Sequence, residues 1–296
     1  MDIRGLKGSI VALVTPFNED GSVNFDVLGE LIEFHIANKT DAILILGTTG
    51  ESSTMSHEED DAVCEYTVKR VAGRVPVIAG SGSNCTETML EKSLRYEELG
   101  ADGLLVISPY YNKANDEGMY RHFKTVADAV KIPLILYNVP GRTGCSISEN
   151  VVARLKGHPN VMGIKEASGN ISYAAKLAKH LSDDFVMYSG NDDMIVPMMS
   201  LGSSGVISVL ANCMPKETHD MVFAYLNGDT KTATKLQLDL LEFVNNLFIE
   251  VNPIPVKEAL NLMGMNVGGY RLPLCEMEEG NREKLKKSMM ALGLVK

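Results

Sequence analysis

A lysine ends one of the most apolar short runs in the chain, VMGIK at 161–165. A lysine in that place ordinarily snorkels past the end of its strand to water. The same residue type has a second use. An ammonium withdrawn from water gives up its proton more readily than its usual pKa of about 10.4 allows, and the neutral amine adds to carbonyls to form a Schiff base. Strict alternation puts Val161, Gly163 and Lys165 on one face of the strand and Met162 and Ile164 on the other. Gly163 would then leave room beneath Lys165, and Glu166 would point away from it. Imine formation also needs protons moved. Tyr137 can move them, with Thr48 and Tyr111 as a hydroxyl relay. Arg142 offers a planar fork for a carboxylate. In GTTGES (47–52), Gly47 and Gly50 let a ligand approach the backbone, and Thr48 and Thr49 supply hydroxyls and N–H groups. Each of these has an ordinary explanation when taken singly: a plain turn, packing or interface tyrosines, a surface arginine. They acquire joint meaning only if a fold gathers them.

The elements that would do so recur with a steady beat. Eight Val/Ile/Leu-rich runs begin at residues 10, 42, 75, 103, 133, 161, 185 and 205. They are nearly continuous in apolar character, as strands buried on both faces are. Stretches of helical periodicity separate them, such as FDVLGELIEFHIANK and TETMLEKSLRYEELGA. The alternation predicts an α/β fold, a (β/α)8 TIM barrel over residues 1–228. A doubly wound sheet is disfavoured, because VTPFNEDGS follows the first strand where a glycine-rich dinucleotide loop would stand. Beyond residue 228 the strand signal stops, and 229–296 is read as a C-terminal helical domain of three helices. In such a barrel the chemistry sits at the C-terminal ends of the strands. That rule brings the 47–52 loop, SPYYNK, Tyr137, Arg142, Lys165, SGND and SVLAN to one rim.

Composition narrows the function classes. The net charge of -10 and the lack of a Lys/Arg run argue against nucleic acid. No apolar run is long enough for a bilayer, and the opening segment lacks the h-region and cleavage site of a signal peptide. Five widely spaced cysteines, without a C-x-x-C, suggest neither a disulfide framework nor zinc and fit a reducing cytoplasm. The acidic SHEEDD at 56–61 reads as a helix start, Ser56 capping and Glu59 completing a capping box, rather than as a metal cluster.

Six ordered motifs, GTTGES, PYYNK, YNVPGRTG, GIKEASGN, SGND and GVISVLAN, resemble the dihydrodipicolinate synthase family of pyruvate-dependent class I aldolases. The resemblance extends through NPIPVKEALNLMG and RLPLCEM in the tail. It implies a barrel with a helical C-terminal domain, usually a homotetramer built as a dimer of tight dimers. It also implies condensation of pyruvate with L-aspartate 4-semialdehyde at the entry to lysine and diaminopimelate synthesis, with no metal or organic cofactor, only a covalent imine. By position, Lys165 resembles the Schiff-base lysine and Tyr137 the proton donor and acceptor. Thr48 and Tyr111 resemble the relay, Tyr111 reaching in from a neighbouring subunit. Thr49, Gly190 and the backbone of Ile207 resemble substrate contacts, and Arg142 the partner of the second substrate's carboxylate. Some members are inhibited by lysine in a cleft at the tight interface, whose positions here include Ser52, Ser53, His57, Asn84 and Tyr110. Lysine-sensitive members resemble one another in a His where this chain has Asp60 and a Glu where it has Thr88, so weak or absent inhibition is expected. Two rival readings stand beside this one. A sibling lyase acting on N-acetylneuraminate or a keto-deoxy sugar acid would share the lysine and tyrosine, but Arg142 suits a short acidic aldehyde better than a polyol. A catalytically dead binding barrel would not need the whole set.

Overall fold

The computed structural model describes residues 1–296. The eight apolar runs form β1 Gly8–Ala12, β2 Ala42–Ile45, β3 Val77–Gly80, β4 Gly103–Ile107, β5 Leu134–Asn138, β6 Val161–Glu166, β7 Val186–Ser189 and β8 Gly205–Ser208. Each is parallel to the next, and β8 pairs with β1, so the sheet closes on itself in chain order. Closure explains the continuous hydrophobicity of the runs, since one face of every strand fills the barrel and the other carries the helices. Inside lie Ile10, Leu44, Ile78, Leu105, Ile135 and Ile207, along with the aromatic rings of Tyr137 and Tyr188. Outside, a single cluster of 62 buried residues joins the strands to the surrounding helices.

Strict alternation fails at β6. The β5–β6 register shifts, Leu134 pairing with Val161 but Ile135 with Gly163. Val161 therefore packs outward against the helices, and Met162 turns into the barrel, the reverse of the faces expected for them. A bulge of this kind inserts one residue and resets the phase beyond it. The reset leaves Lys165 level with Tyr137 on β5 and Tyr188 on β7. Gly163 also serves a different purpose from the one expected: a Cβ there would collide with the Val186 carbonyl oxygen.

The tail forms four helices rather than three: Thr230–Asp239, Leu241–Leu247, Ile254–Leu262 and Glu279–Ala291. The long stretch from 230 is interrupted at Leu240, just after Gln237 docks on the barrel. The Gln237 amide donates to the Asp192 carbonyl and accepts from the Val196 N–H. Leu240, Phe243, Leu247, Val256 and Leu285 belong to the same buried cluster as Val11 and Ile43 of the barrel. No helix is long and apolar enough to cross a membrane.

Candidate active site

Lys165 stands at the C-terminal end of β6, 6 % exposed, its Nζ 4.4 Å from the centre of the Tyr137 ring. Burial pushes its pKa down to about 8, against an opposing pull from the Asp192 carboxylate and with a further push from Arg142. At pH 7 roughly a tenth of such an amine is neutral, so it is poised for attack rather than fully deprotonated. Glu166 points away, as alternation required; Asn138 and the Ser168 N–H donate to its carboxylate at 2.6 and 2.7 Å. Gly190 has a clear steric reason. A Cβ there would lie 2.6 Å from the Ala167 Cβ and 3.0 Å from Lys165 Cε, so any side chain would crowd the lysine. Tyr137 is 8 % exposed. Burial raises its pKa, while Arg142 and the Thr48 hydroxyl pull it down. It therefore holds its proton at neutral pH and enters any reaction as a donor.

Asp192 escaped the reading of SGND as a motif. It is 1 % exposed, and one carboxylate oxygen accepts the Val209 and Leu210 N–H groups, each at 2.9 Å. The other oxygen has no partner. Burial raises the Asp192 pKa against these hydrogen bonds and the nearby lysine, and its ionised form favours the charged form of Lys165.

The 47–52 loop follows β2 and is held from far along the chain. Neither the Thr48 nor the Thr49 N–H is taken up by a backbone carbonyl, which leaves two donors side by side. The Thr49 hydroxyl accepts from Asn252 Nδ2 at 3.0 Å. The Asn252 carbonyl in turn accepts from Arg142 Nη2 at 3.0 Å. Glu51 adopts a left-handed φ of 54° and pairs with Lys257 at 2.8 Å. Asn252 and Lys257 lie some 200 residues from the loop, within the NPIPVKEALNLMG stretch, and nothing local in that stretch announced their contact with it.

A cavity of about 410 Å3 opens beside these groups. Thr48, Tyr137 and Arg142 line it, and so do Ser52, Ser53, His57, Asp60, Thr88, Lys92 and Tyr110. The candidate chemical and regulatory groups thus share one space. Ile207 lies in the barrel interior with Tyr137, and Lys165 packs behind the tyrosine ring. Asn84 does not line the cavity but is tied to Tyr110, which does: its amide donates to the Tyr110 carbonyl at 3.2 Å, and Asn112 donates back to the Asn84 carbonyl at 2.9 Å. Tyr111 is not brought in. It sits on this strapped turn at a φ of 68°, 92 % exposed, and does not line its own chain's cavity. Asp60 is already engaged: Lys92 Nζ donates to it at 2.8 Å and the Ser52 hydroxyl at 3.1 Å. SHEEDD is a helix start, with Ser56 and Glu59 forming a capping box. No group of three or more His, Cys, Asp or Glu side chains is placed to hold a metal ion, and the five cysteines are free.

Fold and site together define a (β/α)8 barrel with a buried lysine and tyrosine side by side at the C-terminal end of its strands. A family model described as the Dihydrodipicolinate synthetase family matches residues 5–292. The chain is 56% identical to a 4-hydroxy-tetrahydrodipicolinate synthase of Caldicellulosiruptor saccharolyticus, covering 97% of each chain. It is 55% identical to 4-hydroxy-tetrahydrodipicolinate synthase 1 of Clostridium acetobutylicum, covering 98% of this chain and 99% of that one. Among solved structures, a chloride-inhibited dihydrodipicolinate synthase from Acinetobacter baumannii, complexed with pyruvate, superposes with a TM-score of 0.95 at 42% identity. That match covers 98% of this chain and all of the other. The chain belongs to the dihydrodipicolinate synthetase family.

Proposed function

We propose that the protein condenses pyruvate with L-aspartate 4-semialdehyde to give 4-hydroxy-tetrahydrodipicolinate, feeding lysine and diaminopimelate synthesis. The observation that carries this reading is the buried Lys165 amine against the Tyr137 ring, with its pKa brought down to about 8. The relatives' names and the pyruvate complex of the Acinetobacter protein support it.

Neutral Lys165 attacks C2 of pyruvate, and the carbonyl oxygen leaves as water after taking up protons through Tyr137. The resulting imine draws electrons from the neighbouring methyl group, which loses a proton and becomes an enamine carbon. That carbon bonds to the aldehyde carbon of the second substrate, whose oxygen is protonated. The second substrate's amine then adds to C2, closes the ring and expels Lys165. In this scheme the imine is the electron sink, so no metal or organic cofactor is called for. The Thr48 and Thr49 N–H groups hold the pyruvate carboxylate, Gly190 and the Ile207 backbone border it, and Arg142 meets the carboxylate of the aldehyde. Thr48, and Tyr111 of a neighbouring subunit, relay protons to Tyr137. The working form is a cytoplasmic homo-oligomer, a dimer of tight dimers, in which residues 1–228 form the catalytic barrel and 229–296 a helical domain.

Borohydride reduction in the presence of pyruvate, followed by peptide mapping, tests the proposal. The expected result is one reduced adduct, on Lys165, that disappears in a folded Lys165→Ala variant. Full trapping by that variant would remove Lys165 from the mechanism.

A further inference from the structure

The ion pair between Glu51 and Lys257 takes no part in the chemistry above, yet both side chains are sealed from water, at 1% and 0% exposure, with nitrogen and oxygen 2.8 Å apart. A buried pair adds little stability over well-packed apolar side chains, so stability alone does not explain it. The backbone does. Glu51 holds a left-handed φ of 54° directly after Thr48, Thr49 and Gly50, and a residue with a side chain keeps that conformation only where its surroundings impose it. The tail imposes it here. Lys257 is itself fixed, donating to the Gly269 carbonyl at 2.5 Å and lying 4.3 Å from the centre of the Phe17 ring. The Arg271 N–H reaches the second Glu51 oxygen at 3.4 Å. One residue before Glu51, the Gly50 carbonyl accepts the Thr15 hydroxyl at 2.6 Å, so the loop is pinned on both sides of its turn.

We infer that Glu51 and Lys257 are positioning residues whose buried pair fixes the 47–51 loop so that the Thr48 and Thr49 N–H groups face the substrate carboxylate. The inference rests on the reading of that loop as the pyruvate site.

The test uses the full-length protein, the double variant Glu51→Gln/Lys257→Met, and Glu51→Asp. Borohydride trapping with pyruvate is run first on the wild type; absence of an adduct there overturns the site reading and the inference together. With trapping intact, the double variant leaves no unpaired buried charge, so its Tm stays near that of the wild type. Its loop has nonetheless lost the anchor, and KM for pyruvate rises about tenfold with a much smaller change in kcat. Glu51→Asp keeps both charges and withdraws the carboxylate by one methylene. It shifts KM in the same direction, and it decides the matter alone if the double variant does not fold. A wild-type KM for pyruvate in a folded variant, or a KM that rises only together with a large fall in Tm and a comparable fall in kcat, assigns the pair a purely structural role and overturns the inference.

Discussion

Two opposed influences meet on Lys165: burial, which disfavours its charge, and the Asp192 carboxylate, which favours it. The balance sets a pH dependence of known sign. Below about pH 8 the amine is mostly protonated, so the rate of pyruvate imine formation should climb about tenfold per pH unit and level off above that point. Rapid-quench borohydride trapping across pH 6 to pH 10, about two units either side of the bend, measures it. In Asp192→Asn the cation loses its support and the bend moves to lower pH. Arg142 makes a separable contribution. It is solvent-exposed apart from its bond to the Asn252 carbonyl, which leaves the rest of the fork free for a ligand. Arg142→Ala should leave pyruvate trapping intact and raise KM for aspartate semialdehyde by about 10- to 100-fold, the worth of a charge-assisted hydrogen bond. Loss of trapping with an unchanged aldehyde KM would reverse the role given to it.

At the scale of elements, the helices His57–Val71 and Thr86–Glu98 face each other across the cavity through Asp60 and Lys92. Asp60 was the one carboxylate on hand to receive the side-chain ammonium of a lysine effector in place of the missing Glu at Thr88. The structure gives that carboxylate an ammonium from its own chain, in a largely buried pair. A free lysine would have to displace Lys92 and leave a charge unpaired in a partly desolvated cleft. Initial rates at saturating pyruvate should therefore hardly change up to millimolar lysine; cooperative inhibition below a millimolar would refute this. The pair was not legible in the sequence, because its partners sit 32 residues apart on separate helices. The eight strands were legible, since closure buries both faces and writes that burial into composition. Which way Met162 faces was not, because the bulge is set by the partner strand β5 and not by β6 alone.

At the scale of the whole molecule, the rim residues that local motifs announced do converge: Lys165 with Tyr137, and Thr48 with Arg142. What the motifs could not announce is the contribution of the tail, because Asn252 and Lys257 meet the loop only after the barrel has closed. Tyr111 is the converse case, a conspicuous residue that its own chain leaves outside, strapped on a left-handed turn and almost fully exposed. If it serves a neighbour's site, then mixed oligomers of Tyr111→Phe and Lys165→Ala subunits, each inactive alone, should recover part of the activity by forming some sites with both residues intact. Verified mixed oligomers with no recovery would exclude that arrangement. The long reach between loop and tail also bears on synthesis. Glu51 leaves the ribosome 206 residues ahead of Lys257, an interval of about 10 to 40 s at ordinary elongation rates. In the last part of that interval, once β8 has emerged, a nascent chain has its lysine, its tyrosine and all eight strands, but not the tail's hold on the 47–51 loop and its left-handed turn. Full affinity for pyruvate therefore arrives last, with the final few dozen residues, and a chain released before Lys257 binds it more weakly.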